Sequence, residues 1–323
     1  MTRFLPSRRA VLGGISALTL TGIAGRPALA APKQITLDYA TYNPVGLILK
    51  DKGFLEEALA PQGITVRWVQ TLGSNKALEF LNAGSIDFGS TYAAASLLGR
   101  INGNPVKAIY VYTRPNGVAL LRPKGSDIQT VADLKGKRVA VTRGTDPHIF
   151  LIRALAKAGL GQNDIESVLL QHPDGRSALA RGQVDAWSGL DPLTAAAELE
   201  DGSEIFYQDP ELATWGFLNV RESFAQENPE LVRIVLESYE KARLHAIAHP
   251  DEVQASLVKL SKLPDPIIAR QLTREDFTQS RIGDTQRSFV IDAGKALQQA
   301  GVIAPEADVE ATVTALIDTG YSI

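Results

Sequence analysis

The chain has no cysteine among its 323 residues, which excludes disulfides, thiolate nucleophiles and cysteine-ligated metals together. Histidine is nearly as scarce. His148, His172, His245 and His249 show no metal-ligand spacing with acidic residues. His245 and His249, four apart just before Pro250, suit the last turn of a helix. No G-x-S-x-G elbow, P-loop or G-x-G-x-x-G follows a strand pattern, so nothing marks a nucleophile or a nucleotide phosphate site. No apolar run reaches the roughly 20 residues needed to span a bilayer. No basic cluster stands out, which argues against nucleic acid and anionic membrane as partners.

What remains is a composition 45% hydrophobic and 21% charged, enough apolar content for two domain-sized cores. The first thirty residues stand apart. Arg8-Arg9 precede a short apolar run to Ala24, and Ala28-Leu29-Ala30 forms a small-x-small cleavage site. This is the layout of an export signal, either twin-arginine or general secretory, removed from the mature chain. Four arginines leave with residues 1–30. The 33 basic residues become 29 against 36 acidic ones, a net charge of −7. Export without a cysteine to carry a lipid implies a free periplasmic protein.

The most informative pattern is a unit that occurs twice, 98 residues apart. Leu81, Gly84, Ile86 and Asp87 return as Leu179, Gly182, Val184 and Asp185 at the same offsets. Each copy reads as a helix end, a glycine stop and a short apolar strand, with another strand upstream. Strands alternate with helices throughout, which implies an α/β protein of two similar lobes, each a mostly parallel sheet covered on both faces. The expected division is 32–120 plus 217–323 for lobe one and 121–216 for lobe two. The crossover between them is expected at the turn Pro123-Lys124-Gly125-Ser126, and the helices after Pro229 pack back on lobe one.

In such sheets ligands bind beyond the carboxyl ends of the strands, where helix N-termini present backbone N–H groups. The candidate turns are Tyr42-Asn43 before Pro44, Gly73-Ser74-Asn75, Ser90-Thr91-Tyr92, Thr142-Arg143-Gly144-Thr145, and Trp187 through Asp191. Small hydroxyl and amide side chains beside glycine suit an oxyanion, and Arg143 could clamp one in bidentate fashion. Plainer roles compete: Ser74 as a helix N-cap, Trp187 as core, Arg143 as a solvated surface residue. Asp87 and Asp185, twins in the repeat, are expected to hold turns and not to touch ligand. Tyr42, Trp215 and Arg114 are weaker candidates.

Several segments resemble one family. Lys50-Asp51-Lys52-Gly53-Phe54-Leu55, Gly63 to Val66, Leu81 to Thr91, Val131 to Ala140, and Val184-Asp185-Ala186-Trp187 with Asp191-Pro192 look like the aliphatic-sulfonate-binding proteins of ABC importers. That branch also holds taurine, nitrate and pyrimidine-precursor binders. The resemblance runs from about Ile35 to Ala248. It implies a two-lobed type II periplasmic-binding-protein fold, a monomer that closes its cleft over a small anionic ligand and delivers it to a membrane permease with its ATPase. No cofactor, metal or covalent chemistry is implied. Carried onto this sequence, the ligand contacts are Tyr42, Ser74, Asn75, Ser90, Thr91, Thr142, Arg143 and Trp187. Asn43, Gly144, Thr145 and Asp191 join them from the same turns. The chain departs from the family pattern at Leu190, in place of a second aromatic, at Arg143-Gly144-Thr145-Asp146, and at Tyr92-Ala93-Ala94-Ala95. Rival readings are nitrate, a pyrimidine precursor, a sulfate ester or a carboxylate in the same fold, or a cofactor-biosynthesis enzyme built on it.

Overall fold

Strand and helix alternate from Gln34 onward, as the periodicity predicts. The computed structural model describes residues 32–212 and 214–321. The expected export signal therefore lies outside the described residues. The first run is β1 (Gln34–Tyr39), α1 (Pro44–Lys52), α2 (Phe54–Leu59), β2 (Thr65–Gln70), α3 (Ser74–Asn82), β3 (Phe88–Tyr92), α4 (Ala93–Ile101) and β4 (Val106–Thr113). The second is β5 (Ala119–Arg122), β6 (Arg138–Val141), α5 (Asp146–Lys157), β7 (Glu166–Leu169), α6 (His172–Ala180), β8 (Ala186–Gly189), α7 (Leu193–Glu200) and β9 (Glu204–Tyr207). The chain then returns through β10 (Gly216–Arg221) to α8 (Glu222–Glu227), α9 (Pro229–Ala248), α10 (Pro250–Ser261), α11 (Asp265–Leu272), α12 (Asp284–Gln299) and α13 (Val309–Leu316).

Two five-stranded sheets result, β2-β1-β3-β10-β4 and β7-β6-β8-β5-β9. Their orders are the same. In each, three parallel strands come first, and the fourth place is taken by a strand running antiparallel to both neighbours, β10 in one and β5 in the other. The two sheets thus exchange their fourth strands, and two linkers join them. The first linker lies between β4 and β5, earlier than the expected turn at Pro123 to Ser126. The correction follows from pairing: Leu120 and Leu121 already bond to β8 and β9.

The repeat has a physical content. Gly84 and Gly182 stop their helices in the left-handed region, at φ +66° and +68°, where a side chain would strain the backbone. Each following aspartate then clamps the start of the neighbouring parallel strand. Asp87 accepts from the Thr36 amide at 2.9 Å, and Asp185 from the Arg138 amide at 2.8 Å. An arginine completes each clamp, Arg221 on Asp87 and Arg138 on Asp185. The expectation that these twins hold structure is met by these bonds.

The C-terminal helices cover the first sheet. α9 buries Leu231, Val232, Val235, Leu236, Tyr239, Ala242 and Ala246 on one face, against α1. Each such side chain contributes about 1.5–3 kcal/mol when fully buried. α12 and α13 cover α4. α11 is the exception, since it touches α7 beside the second sheet.

Asp87→Ala is expected to lower unfolding free energy by about 1–3 kcal/mol, because the Thr36 amide and Arg221 lose a half-buried partner. Asp185→Ala should cost less, its side chain being 33% exposed against 13% for Asp87. Urea denaturation of the two variants checks the order.

Candidate functional site

Six strand-to-helix turns, three from each sheet, end at the boundary between lobes. The contacts across it are close. A Cβ placed on Gly73 would lie 3.2 Å from His172 Nε2 in the other lobe, and one on Gly144 would lie 3.8 Å from Asn75 Cβ. Apolar residues also cross: Ala40, Tyr42 and Tyr92 of the first lobe share a buried cluster with Val118, Leu120, Leu190 and Leu212. The Tyr42 and Tyr92 rings stand 5.5 Å apart at 44°.

Beneath this surface the first lobe is wired by hydrogen bonds. Asp38 accepts from the Ser90 amide (2.8 Å), the Ser90 hydroxyl (2.9 Å) and the Thr71 hydroxyl (2.7 Å). Asn43 caps α1 by accepting from the Gly46 amide, and donates to Ser90 Oγ at 2.7 Å. Tyr42 donates to the Ser90 carbonyl at 3.0 Å. Thr91 accepts from Asn219 at 2.6 Å and bonds Ser96. Ser90 and Thr91, expected in a turn, lie inside β3, because β10 pairs with that strand as far as Tyr92. Their polar atoms, and those of Asn43, are committed within the lobe.

Ser74 is also corrected. Gly73 is the N-cap of α3, and the Ser74 hydroxyl accepts from the Tyr92 amide at 3.0 Å instead of capping the helix. Its own proton remains available for donation. Asn75 follows, with Oδ1 buried and unpartnered.

In the second lobe, Thr145 donates to the Thr142 carbonyl at 2.6 Å, and Thr142 donates to the Leu170 carbonyl at 2.8 Å. Thr142 Oγ1 also lies 3.0 Å from His172 Nδ1. Asp146 is buried at the start of α5 with one carboxyl oxygen unpartnered. Arg143, between the buried Thr142 and Thr145, is exposed and lines an open crevice of about 720 Å³ with His148, Asn102 and Val302. That crevice runs between the lobes, since Asn102 and Val302 belong to the first and Arg143 and His148 to the second. Trp187 is fully buried in a second-lobe cluster with Ala140, Ala178 and Leu179, its indole lying over Gly189 and Gly175. It fills core beneath α6 and does not wall the cleft. Asp191 is buried and held by Arg274 at 3.2 Å and the Ala195 amide at 3.0 Å. Arg274 also pairs with Glu198 of α7, so Asp191 belongs to a brace between α7 and the segment after α11.

The residue missed from the sequence is His172. The repeat carried the signal: 74 plus 98 is 172, so His172 is the counterpart of Ser74 at the matching helix start. Among the described residues no group of histidine, aspartate and glutamate is placed to hold a metal ion.

Buried carboxyls set the electrostatics. Burial pushes Asp38 up to about 7 against its three donors, and Asp146 up to about 7. Burial lifts Asp191 to about 6, with Arg274 opposing. Unfolded carboxyls titrate near 4, so between about pH 4 and pH 7 the folded state binds more protons, and stability falls as pH rises. The thermal midpoint should be lower at pH 8 than at pH 5. Asp146→Asn should remove one proton from that dependence, at most about 1.4 kcal/mol per pH unit. Melting curves across the range check both.

Known proteins resemble this chain in sequence and architecture. The family model described as NMT1/THI5 like matches residues 46–253. A protein of Escherichia coli (strain K12) named for binding aliphatic sulfonates is 31% identical over 263 residues, covering 81% of each chain. The alkanesulfonate-binding protein SsuA of Xanthomonas axonopodis pv. citri, solved bound to MOPS, superposes with a TM-score of 0.82 at 25% identity, over 90% of this chain and 99% of that one. The periplasmic aliphatic sulphonate binding protein SsuA of Escherichia coli gives 0.75 at 27% identity, over 87% and 97%. The two lobes are those of the periplasmic binding protein fold. With its family match spanning more than half its length, the chain belongs to the NMT1/THI5-like family.

Proposed function

We propose that this protein is the periplasmic substrate-binding component of an ABC importer, and that it binds a small organic anion, an aliphatic sulfonate, between its lobes. The observation that carries this reading is the polar inventory of the boundary. Asn75 Oδ1 on one lobe and His172 Nε2 on the other are buried without partners, on either side of Gly73. A buried polar atom without a partner is costly, so these two acceptors mark the gap as a place for a ligand, whose anionic head is met by donors. The first-turn N–H groups of α3, α5 and α6, together with the Ser74 hydroxyl, provide donors and partial positive charge for the oxyanion. Kinship with sulfonate-binding relatives supports the choice of anion.

Contacts made only when the lobes meet bias the hinge toward closure. No bond is made or broken in the ligand. The protein acts as a monomer and passes its ligand to a permease driven by an ATPase. The lobes divide near 32–120 with 217–323 and 121–216, the exchanged strands marking the hinge. Residues 1–30 direct export by the twin-arginine route.

Mature protein in C2 to C6 alkanesulfonates should melt higher, with about 2.7 kcal/mol of stabilisation at 100 times the dissociation constant. No shift with any sulfonate or other anion would refute the reading, as would turnover of the compound by the pure protein. Gly73→Val should weaken sulfonate binding at least ~10-fold by calorimetry, because its side chain would occupy the space between Asn75 and His172 and hold the lobes apart. The unliganded melting point should change little, since φ of 169° at Gly73 is extended backbone open to any residue. For export, Arg8→Lys with Arg9→Lys should leave unprocessed protein in the cytoplasm, and normal periplasmic recovery would favour the general secretory route.

A further inference from the structure

His172 opens α6 at 2% exposure, and its ring is fixed by one neighbour. Thr142 Oγ1 lies 2.8 Å from the Leu170 carbonyl and 3.0 Å from His172 Nδ1. A hydroxyl has one proton, and a carbonyl can only accept. The Thr142 proton therefore goes to Leu170, and Nδ1 must carry the ring proton that Thr142 Oγ1 accepts. That tautomer leaves Nε2 as a bare lone pair. Burial keeps the ring neutral, lowering its pKa to about 3.

The lone pair has no partner and points at the opposite lobe. A Cβ on Gly73 would meet Nε2 at 3.2 Å and Asn75 Oδ1 at 2.9 Å, so both acceptors border the gap that this glycine leaves. A sulfonate group only accepts hydrogen bonds and cannot satisfy either of them.

We infer that His172 is a specificity-determining residue whose Nε2 receives a hydrogen bond from a donor group, hydroxyl or ammonium, carried by the ligand apart from its anionic head. The inference rests on the anion-binding reading above and adds the second half of the ligand. Asn75 Oδ1 lies beside the same donor position. An unsubstituted alkyl chain would bury these acceptors unmet, which penalises it relative to a substituted one.

Calorimetry on the mature protein at pH 7.5 tests this with ethanesulfonate, 2-hydroxyethanesulfonate and 2-aminoethanesulfonate. The better of the two donor-bearing compounds should bind at least ~10-fold more tightly than ethanesulfonate. His172→Leu, of similar bulk and no acceptor, should reduce that ratio to about one. His172→Gln, whose amide oxygen accepts, should retain part of it. Equal or tighter binding of ethanesulfonate overturns the inference without needing a variant, as does a ratio that survives His172→Leu. Ethanesulfonate binding that strengthens from pH 8 to pH 5 and matches the hydroxylated compound also overturns it, since the proton would then come from solvent. If no sulfonate binds, the sulfonate reading fails on its own. The comparison then passes to propanoate and 3-hydroxypropanoate: a preference for the hydroxylated acid that His172→Leu abolishes supports the inference, and no preference, or no binding of either, overturns it.

Discussion

The parallel register of two strand pairs governs where this molecule can hold a ligand. Asp87 and Asp185 each bond an amide near the start of a neighbouring parallel strand, Thr36 in β1 and Arg138 in β6. Fixing the starts fixes the ends, because a parallel strand must finish on the same side as its neighbour. Three strands in each sheet therefore release their chain at one edge, each into a helix whose first N–H groups have no internal partner. Two sheets of one topology, placed edge to edge, bring six such turns together. The exchange of β5 and β10 ties them by two linkers, the connectivity that lets lobes part and meet without unfolding.

At that boundary the polar residues divide by task. Asn43, Ser90, Thr91 and Thr145 are used inside their lobes, holding turns in shape. Asn75, Asp146 and His172 carry buried atoms that nothing in the chain satisfies. The contrast has a thermodynamic meaning. Bonds of the first kind stabilise the protein whether or not a ligand is present. Unmet groups of the second kind cost stability in the free closed state and are relieved on binding, which couples occupancy to closure. Buried carboxyls at Asp38, Asp146 and Asp191 add a further tension, since desolvation disfavours their charged forms.

Much of the fold was legible in the residues. The doubled Leu-Gly-β-branched-Asp unit announced two lobes, and alternating strand and helix patterns announced parallel sheets. The glycine stops at Gly84 and Gly182 and the structural task of the twin aspartates could be read directly. The site was less so. Ser90 and Thr91 look like turn residues, yet β10, more than a hundred residues away, extends β3 through them. Arg143 beside a glycine looks like an anion clamp, and it stands exposed between the buried Thr142 and Thr145, at a crevice shared with Asn102 and Val302. Trp187 looks like a wall, yet Gly175 and Gly189 give it room in the core.

Local sequence by itself decided the elements, the duplication and the edge at which ligand would meet protein, because periodicity, helix stops and strand direction are short-range properties. Tertiary structure alone decided which of the polar turn residues are spent and which are left open, because a hydrogen bond's partner comes from wherever the chain returns. Thr142 settles the matter for His172: only when Leu170 lies beside its hydroxyl does the imidazole turn a bare nitrogen toward the other lobe.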